Sequence, residues 1–446
     1  MKLHNFAVVL FLVSLVQLAH AQAAAPAPEP DRRYKVDILV IVAHPDDDTE
    51  VAAYLAKAIE QEHKRAAVVY TTRGNSGGNA VGQEQANALA DIREMEARHS
   101  LASYGVTLAW FLHGSDTPGA DVLHSLEAWG HGNALDEVVR LVRLTRPEVI
   151  LTWMPNYVIG ENHEDHQAAG VLATEAFDMA ANPLAFPEQV EAPRYRTNIN
   201  NYGEGLRPWQ PKKIYYFSDA DNKDFLKGKG PEYATIDISP SRKIPYSRIA
   251  VEAWSFYKTQ QSDFSDADLK QLSEAPLRLL FGKSLVGGSA TADIFEGIKP
   301  GPIPYVKPRG YLPPEQKLAL RLGGPWAFYH AFWLAHNIEH LADLYSPQAQ
   351  VGPGESLWVP LLIRNDTDSP LQVELHSVLP AGWSQKPDAV QYSVAAHDSY
   401  AIQLTITSPE SQKGTWQALS WNAQSNGKDI GRVTLRVDVA ANYLPQ

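Results

Sequence analysis

The 446-residue chain contains no cysteine. Disulfides, thiolate metal sites and thiol nucleophiles are therefore excluded together, and any metal site has to be built from His, Asp and Glu. No Cys follows the amino-terminal apolar run to carry a lipid. Positive charge is also scarce: 39 Lys and Arg stand against 51 Asp and Glu, a net −12. Nothing in that balance would neutralise the phosphates of a nucleic acid. The apolar run from Phe6 to Leu18 follows Lys2 and precedes Ala19-His20-Ala21. It is too short for a comfortable membrane span. The charged start, apolar centre and small-x-small site read as a signal peptide over residues 1–21, with an Ala/Pro-rich lead-in over 22–34. The expected product begins near Gln22 and is secreted or periplasmic, with no stable membrane span after cleavage; an uncleaved anchor is the alternative.

What is present is ordinary globular stock, 44% hydrophobic and 20% charged, over a length that suits two or three domains. The most informative stretch is an apolar run from Ile38 to Ala43 that ends in His44, Pro45, Asp46, Asp47 and Asp48. A short run rich in β-branched residues reads as a strand buried on both faces. Charged groups do not sit inside such a strand without partners. The acidic cluster is therefore expected just past its carboxyl end, where open α/β sheets bind ligands. Three crowded carboxylates beside an imidazole call for a cation.

From there, strands and helices alternate. Past the acidic turn, Val51, Leu55 and Ile59 recur at helical spacing, with Thr49 placed to cap the helix. A strand over Ala66–Thr72 leads into a Gly/Asn loop over 73–82 and a helix over 83–103 closed by Gly105. A strand over 108–112 comes next, then a helix capped by Asn133 and stopped by Pro147. The strand Val149–Trp153 runs straight into a polar cluster, Asn156 to His166, before a helix over 167–180. A strand over 214–217 and a helix over 246–260 follow. This order predicts an α/β fold with a mostly parallel, doubly wound sheet. A further apolar helix over 326–344 carries His330, His336 and His340, which read as a packed surface helix because no acidic turn accompanies them. Beyond Ser346 the texture changes to period-two runs, such as Tyr400, Ile402, Leu404 and Ile406, between closely spaced turns. That pattern predicts an antiparallel β-sandwich over 346–446 after an α/β domain over 35–345. The sandwich resembles the small immunoglobulin-like modules appended to secreted glycan-acting enzymes.

Two clusters carry chemistry, and each follows a strand. The second is His163-Glu164-Asp165-His166. If the next helix begins near His163, both imidazoles leave the same side of its first turn. Two clusters at the carboxyl ends of strands in one parallel sheet can converge although about 120 residues separate them. Glu164 and Asp165 read as solvent-facing acids at the helix start.

Ala43-His44-Pro45-Asp46-Asp47 with the later His163-x-x-His166 resembles the PIG-L/LmbE family of zinc-dependent N-deacetylases. The stretch from Thr71 to Gly78 is similar to that family's threonine-glycine loop, Arg93-x-x-Glu96 to its third-strand approach, and Phe111 to Asp116 to its sugar-contacting stretch. The likeness covers roughly residues 35–265. It implies a Rossmann-like fold and hydrolysis of the N-acetyl group of an N-acetylglucosamine-type sugar or glycoconjugate. It further implies that His44, Asp47 and His166 bind Zn2+, leaving a fourth position open as a catalytic zinc requires. Asp46 becomes the general base, and a protonated His163 the group that polarises the amide carbonyl. Arg93 and Asp116 match substrate-contacting positions, although Arg93 equally suits a helix ion pair. Where the family has Glu after the paired aspartates, this chain has Asp48. A set of two imidazoles and one carboxylate also accepts other divalent ions. Two rival readings stay open: a metal-dependent hydrolase of O-esters or non-carbohydrate amides, and a non-catalytic glycan-binding protein on the same fold.

Overall fold

The computed structural model describes residues 30–440, apart from 118–120, 159–162, 194–202, 221–222, 262–274, 312–316, 343, 345–346, 411–413 and 415. The expected signal peptide lies outside the described residues.

The first strand, β1 (Ile38–Val42), is buried at every position. Leu39 and Ile41 enter one core, with Val138 and Val142 of one helix and Val171 and Leu172 of another. Ile38, Val40 and Val42 enter a second core on the opposite face, with Val51, Leu55 and Ile249. A strand covered on both faces has no polar side, which is why its sequence is continuous rather than alternating. Around it run α1 (Thr49–Glu62), β2 (Ala66–Thr72), α2 (Ala86–Ser103), β3 (Leu108–Gly114), α3 (Val122–Ala128), α4 (His131–Thr145), β4 (Val149–Trp153), α5 (Glu164–Met179), β5 (Lys213–Phe217), α6 (Tyr246–Trp254) and β6 (Leu280–Ser284). The sheet order is β3-β2-β1-β4-β5-β6. Pairing is parallel from β3 to β5, and β6 closes the edge antiparallel to β5.

The order reverses direction between β1 and β4. The chain builds outward through β2 and β3, then crosses back to lay β4 on the other side of β1. Such a switch point opens a crevice at the strands' carboxyl ends. His44 leaves β1 into this crevice, and His163 opens the helix that follows β4.

The main elements of the carboxy-terminal part are β7 (Leu318–Leu322), α7 (Gly324–His336), β8 (Gln348–Val351), β9 (Ser356–Asn365), β10 (Leu371–Val378), β11 (Ser384–Lys386), β12 (Gln391–Val394), β13 (Asp398–Thr407), β14 (Trp416–Ser425) and β15 (Lys428–Val439). They form two sheets, β8-β15-β14-β10-β12 and β11-β13-β9-β7, around a shared apolar core. All pairs are antiparallel except β8 with β15. β7 precedes the expected boundary at residue 346 yet pairs with β9 from Leu361↔Leu322 to Asn365↔Leu318. The chain then crosses back through α7, whose Phe328, Tyr329, Phe332 and Trp333 pack on the α/β core while Trp326 packs on the sandwich core.

The helix α7 stops at His336, with Asn337 in the left-handed conformation as its cap, rather than running on to residue 344. His336 is buried, with Nδ1 2.7 Å from Asp178 Oδ2. Among the described residues, none of His330, His336 and His340 stands in a metal-competent group.

Candidate metal centre

The loop after β1 folds back on its own carboxylate. The backbone N–H groups of Ala43 and His44 each donate to Asp47 Oδ2 at 2.9 Å. The Trp153 Nε1–H, from the last residue of β4, donates to the same oxygen at 2.6 Å. Three donors on Oδ2 leave Oδ1 to face the crevice. There it lies 3.3 Å from His166 Nε2 and 3.8 Å from His44 Nδ1. Asp46, one residue earlier, has φ 145°, a conformation a non-glycine residue adopts only where its surroundings hold it. The hold comes from Thr49, whose N–H and Oγ1–H both donate to the Asp46 carbonyl, at 2.9 and 2.7 Å. Thr49 does this instead of capping α1 with its side chain.

α5 begins at Glu164, and His163 is its N-cap residue. The His163 and His166 rings lie 3.9 Å apart, and His44 lies 5.1 Å from the first and 5.3 Å from the second. One ligand atom from each of His44, His163 and His166 falls within 4.8 Å of the others. A second such group is His44, Asp116 and Asp165. The four residues that follow β1 and the four that open α5 do meet, across the switch point.

Glu164 and Asp165 differ from expectation: both are buried rather than solvent-facing. Asp165 Oδ2 lies 3.3 Å from His44 Nε2 and accepts the Thr117 N–H at 2.9 Å, while Oδ1 accepts the Thr117 hydroxyl. The first turn of α5 points into the crevice, so burial follows from where the helix starts. Asp116 turns Oδ1 toward His44 Nε2 at 3.9 Å, and that buried oxygen has no hydrogen-bond partner. Its Oδ2 accepts the Ser76 N–H at 2.9 Å. Arg93 makes no helix ion pair. It is 5% exposed, and its guanidinium donates to the carbonyls of Gly74 and Gly78 at 2.7 and 2.8 Å, bracing the loop after β2. Asp48 turns away from the crevice into a cage of three tyrosine hydroxyls, from Tyr70, Tyr104 and Tyr257. Burial pushes its carboxyl up to about 6 against the pull of those donors.

Electrostatics separates the neighbours. Burial opposes ionisation of Asp47, but His166 and His44 hold its carboxyl well below the ordinary range. For Asp46, burial and then the charge on Asp47 push the carboxyl well above it. Burial would strip the proton from His166, yet Asp47 and Asp219 lift it to about 10; Asp165 and Asp47 lift His44 in the same way. The crevice favours positive charge at the atoms around Asp47 Oδ1. Two imidazoles and a preorganised carboxylate match the donor chemistry of a divalent cation site. In the metal-free protein, burial and then the charges on His166 and His44 push His163 down to about 2.

Three residues at the centre escaped the sequence reading. Trp153 stacks on His166, with centroids 4.1 Å apart and planes 7° from parallel. Asp165 reaches His44. Asp219 Oδ2 lies 3.2 Å from His166 Nδ1. Asp219 comes two residues after β5, so the rule that found the first two clusters, acids just past a buried strand, points to it as well.

Residues 39–177 match the model of a protein family described as PIG-L, GlcNAc-PI de-N-acetylase. A Catenulispora acidiphila protein named 1D-myo-inositol 2-acetamido-2-deoxy-alpha-D-glucopyranoside deacetylase 1 is 28% identical over 183 residues, 38% of this chain and 56% of that relative. A Streptomyces coelicolor protein named mycothiol S-conjugate amidase is 27% identical over 190 residues, 40% of this chain and 59% of the relative. The chain thus spans under two thirds of the length of these relatives. Among solved structures, N,N'-diacetylchitobiose deacetylase from Pyrococcus horikoshii aligns at 17% identity with a TM-score of 0.39, covering 60% of this chain and 91% of that one.

Proposed function

We propose, from the PIG-L match over residues 39–177 and the centre it encloses, that this chain is a metal-dependent amide hydrolase that removes the acetyl group from an N-acetylglucosamine-type sugar. The observation that carries the reading is the convergence of His44 Nδ1 and His166 Nε2 on Asp47 Oδ1, whose partner oxygen is pinned by three N–H donors. His44, Asp47 and His166 would hold the ion, with Zn2+ the first choice and another divalent ion next. A divalent ion held there supplies Lewis acidity, which lets water act as a nucleophile near neutral pH.

The remaining work falls to side chains. Asp46 accepts the proton of the attacking water as general base. Oxygen adds to the acetamide carbon, the carbon–nitrogen bond breaks, and Asp46 returns the proton to the departing amine. His163 offers its N–H to the carbonyl oxygen as negative charge develops there. Asp116 Oδ1, buried and without a partner, is placed to accept a sugar hydroxyl. Arg93 keeps the 74–78 loop in place beside it.

Metal analysis of the purified protein, joined to acetate release from N-acetylated and O-acetylated sugars, tests this reading. Stoichiometric divalent metal with release from the N-acetyl series supports it; release confined to O-acetyl substrates would replace it. Hydrolysis of a different amide is the second reading, favoured by the relative named as an amidase. We further propose that the chain is exported, on the strength of its charged and apolar start. Amino-terminal sequencing from the native host should begin near Gln22; an intact Met1 in the cytoplasm would refute export. Among the described residues no helix is long and apolar enough to cross a membrane.

A further inference from the structure

The Trp153 stack fixes the plane of the His166 ring but not its facing. A half-turn about Cβ–Cγ keeps the plane and exchanges Nδ1 with Cδ2 and Nε2 with Cε1. A stacked indole is indifferent to that exchange, because the ring outline hardly changes. Asp47 Oδ1, 3.3 Å from Nε2, cannot choose the facing once Nε2 must offer a lone pair instead of a proton. The choice falls to whatever faces Nδ1, and Asp219 Oδ2 lies 3.2 Å away, an ion-pair contact short of hydrogen-bond geometry in the metal-free protein.

Asp219 has little other occupation. Its Oδ1 is buried and without a hydrogen-bond partner. Asp165, which hydrogen-bonds His44 Nε2 at 3.3 Å, is also held by the N–H and hydroxyl of Thr117. Asp165 therefore has a second task in tying down the 117 loop, and Asp219 does not. Asp219 is delivered by the end of β5, on the far side of β4 from β1. A third strand thus feeds the centre.

We infer that Asp219 is a positioning residue of the metal centre: it holds the proton on His166 Nδ1 and so turns the Nε2 lone pair toward Asp47 Oδ1 and the ion. The inference rests on the metal-site reading above. Carboxylates that orient a ligand histidine in this way are general in metal sites, and their loss weakens metal binding about 10- to 100-fold.

The test is metal affinity of the full chain, measured by chelator competition with Zn2+ and by the visible absorption spectrum with Co2+. Asp219→Ala and the near-isosteric Asp219→Leu both remove the acceptor; the second fills the same space and keeps the fold should the first not. Both are expected to bind Zn2+ about 10- to 100-fold more weakly and to shift the Co2+ spectrum. Asp219→Asn retains a carbonyl oxygen for Nδ1–H and should recover most of the affinity, which a residue needed only for its net charge would not predict. Parental affinity in Asp219→Leu, or an equal loss in Asp219→Asn and Asp219→Leu, overturns the inference. His166→Ala and Asp47→Ala serve as references. If they lose the metal while Asp219→Leu keeps it, the metal-site reading stands and Asp219 has no part in it; if they too keep it, the metal-site reading itself fails.

Discussion

Trp153→Phe separates the two things Trp153 does. The buried indole donates to Asp47 Oδ2 at 2.6 Å and stacks on His166. Phenylalanine keeps a ring against His166 but has no N–H. Asp47 retains the Ala43 and His44 backbone donors, so its carboxylate stays in the crevice with one of three restraints gone. A hydrogen bond to a charged acceptor is worth about 1.5–3 kcal/mol. The missing ring atoms leave a small cavity that adds to the loss, for a total of about 2–4 kcal/mol in the metal-free protein. Metal affinity should fall about 10-fold or more, as it does when the partner of a ligand is removed. Urea unfolding of the metal-free protein reads the first quantity, and chelator competition at fixed pH reads the second. A clear loss of stability with unchanged affinity would refute the reasoning. It would mean that the backbone donors alone hold Asp47 and that the indole is only packing.

Asp46→Ala should keep its metal and lose about 10²- to 10⁴-fold in turnover, whereas Asp47→Ala should lose the metal; elemental analysis and rates at saturating zinc distinguish them, and the opposite pattern exchanges the two roles. Asp48 titrates in the folded metal-free protein at about 6 against an ordinary 3.8, so between those values the folded state binds more protons than the unfolded one and stability falls as pH rises. Asp48→Asn should flatten that dependence, so that wild type loses on the order of 3 kcal/mol relative to the variant between pH 4 and 7 in denaturant titrations; parallel curves would reject it. A chain ending at residue 345 removes β9 from beside β7 and uncovers Leu320, Leu322 and Trp326. It should melt lower and aggregate yet keep its metal as long as it stays folded, and a folded but metal-free product would tie the sandwich to the centre.

Some of this protein was decided by sequence alone. The run from Ile38 to Ala43 has no polar face, so it has to be a strand covered on both sides, and the acids behind it have to leave the sheet at its carboxyl end. The same logic places His163 past β4. Alternation of such strands with helical patterns is enough for a mostly parallel doubly wound sheet, and period-two runs after Ser346 are enough for a second, all-β body. These features are local, written within ten or twenty residues. What only the tertiary structure decided is who meets whom across the crevice. Asp46 and Asp47 are neighbours with one side-chain chemistry; the positive φ of one and the three donors on the other separate them. Asp165 looks like a solvated helix-start acid until the first turn of α5 is aimed at β1. Arg93 looks like a helix-surface cation until the 74–78 loop closes over it. The strand β7 carries no mark of the sheet it joins, because an edge strand takes its partner from distant residues. Asp219 sits within hydrogen-bond reach of His166 only because β5 lies next to β4. Each of these depends on strand order and helix direction, which no short stretch of sequence encodes.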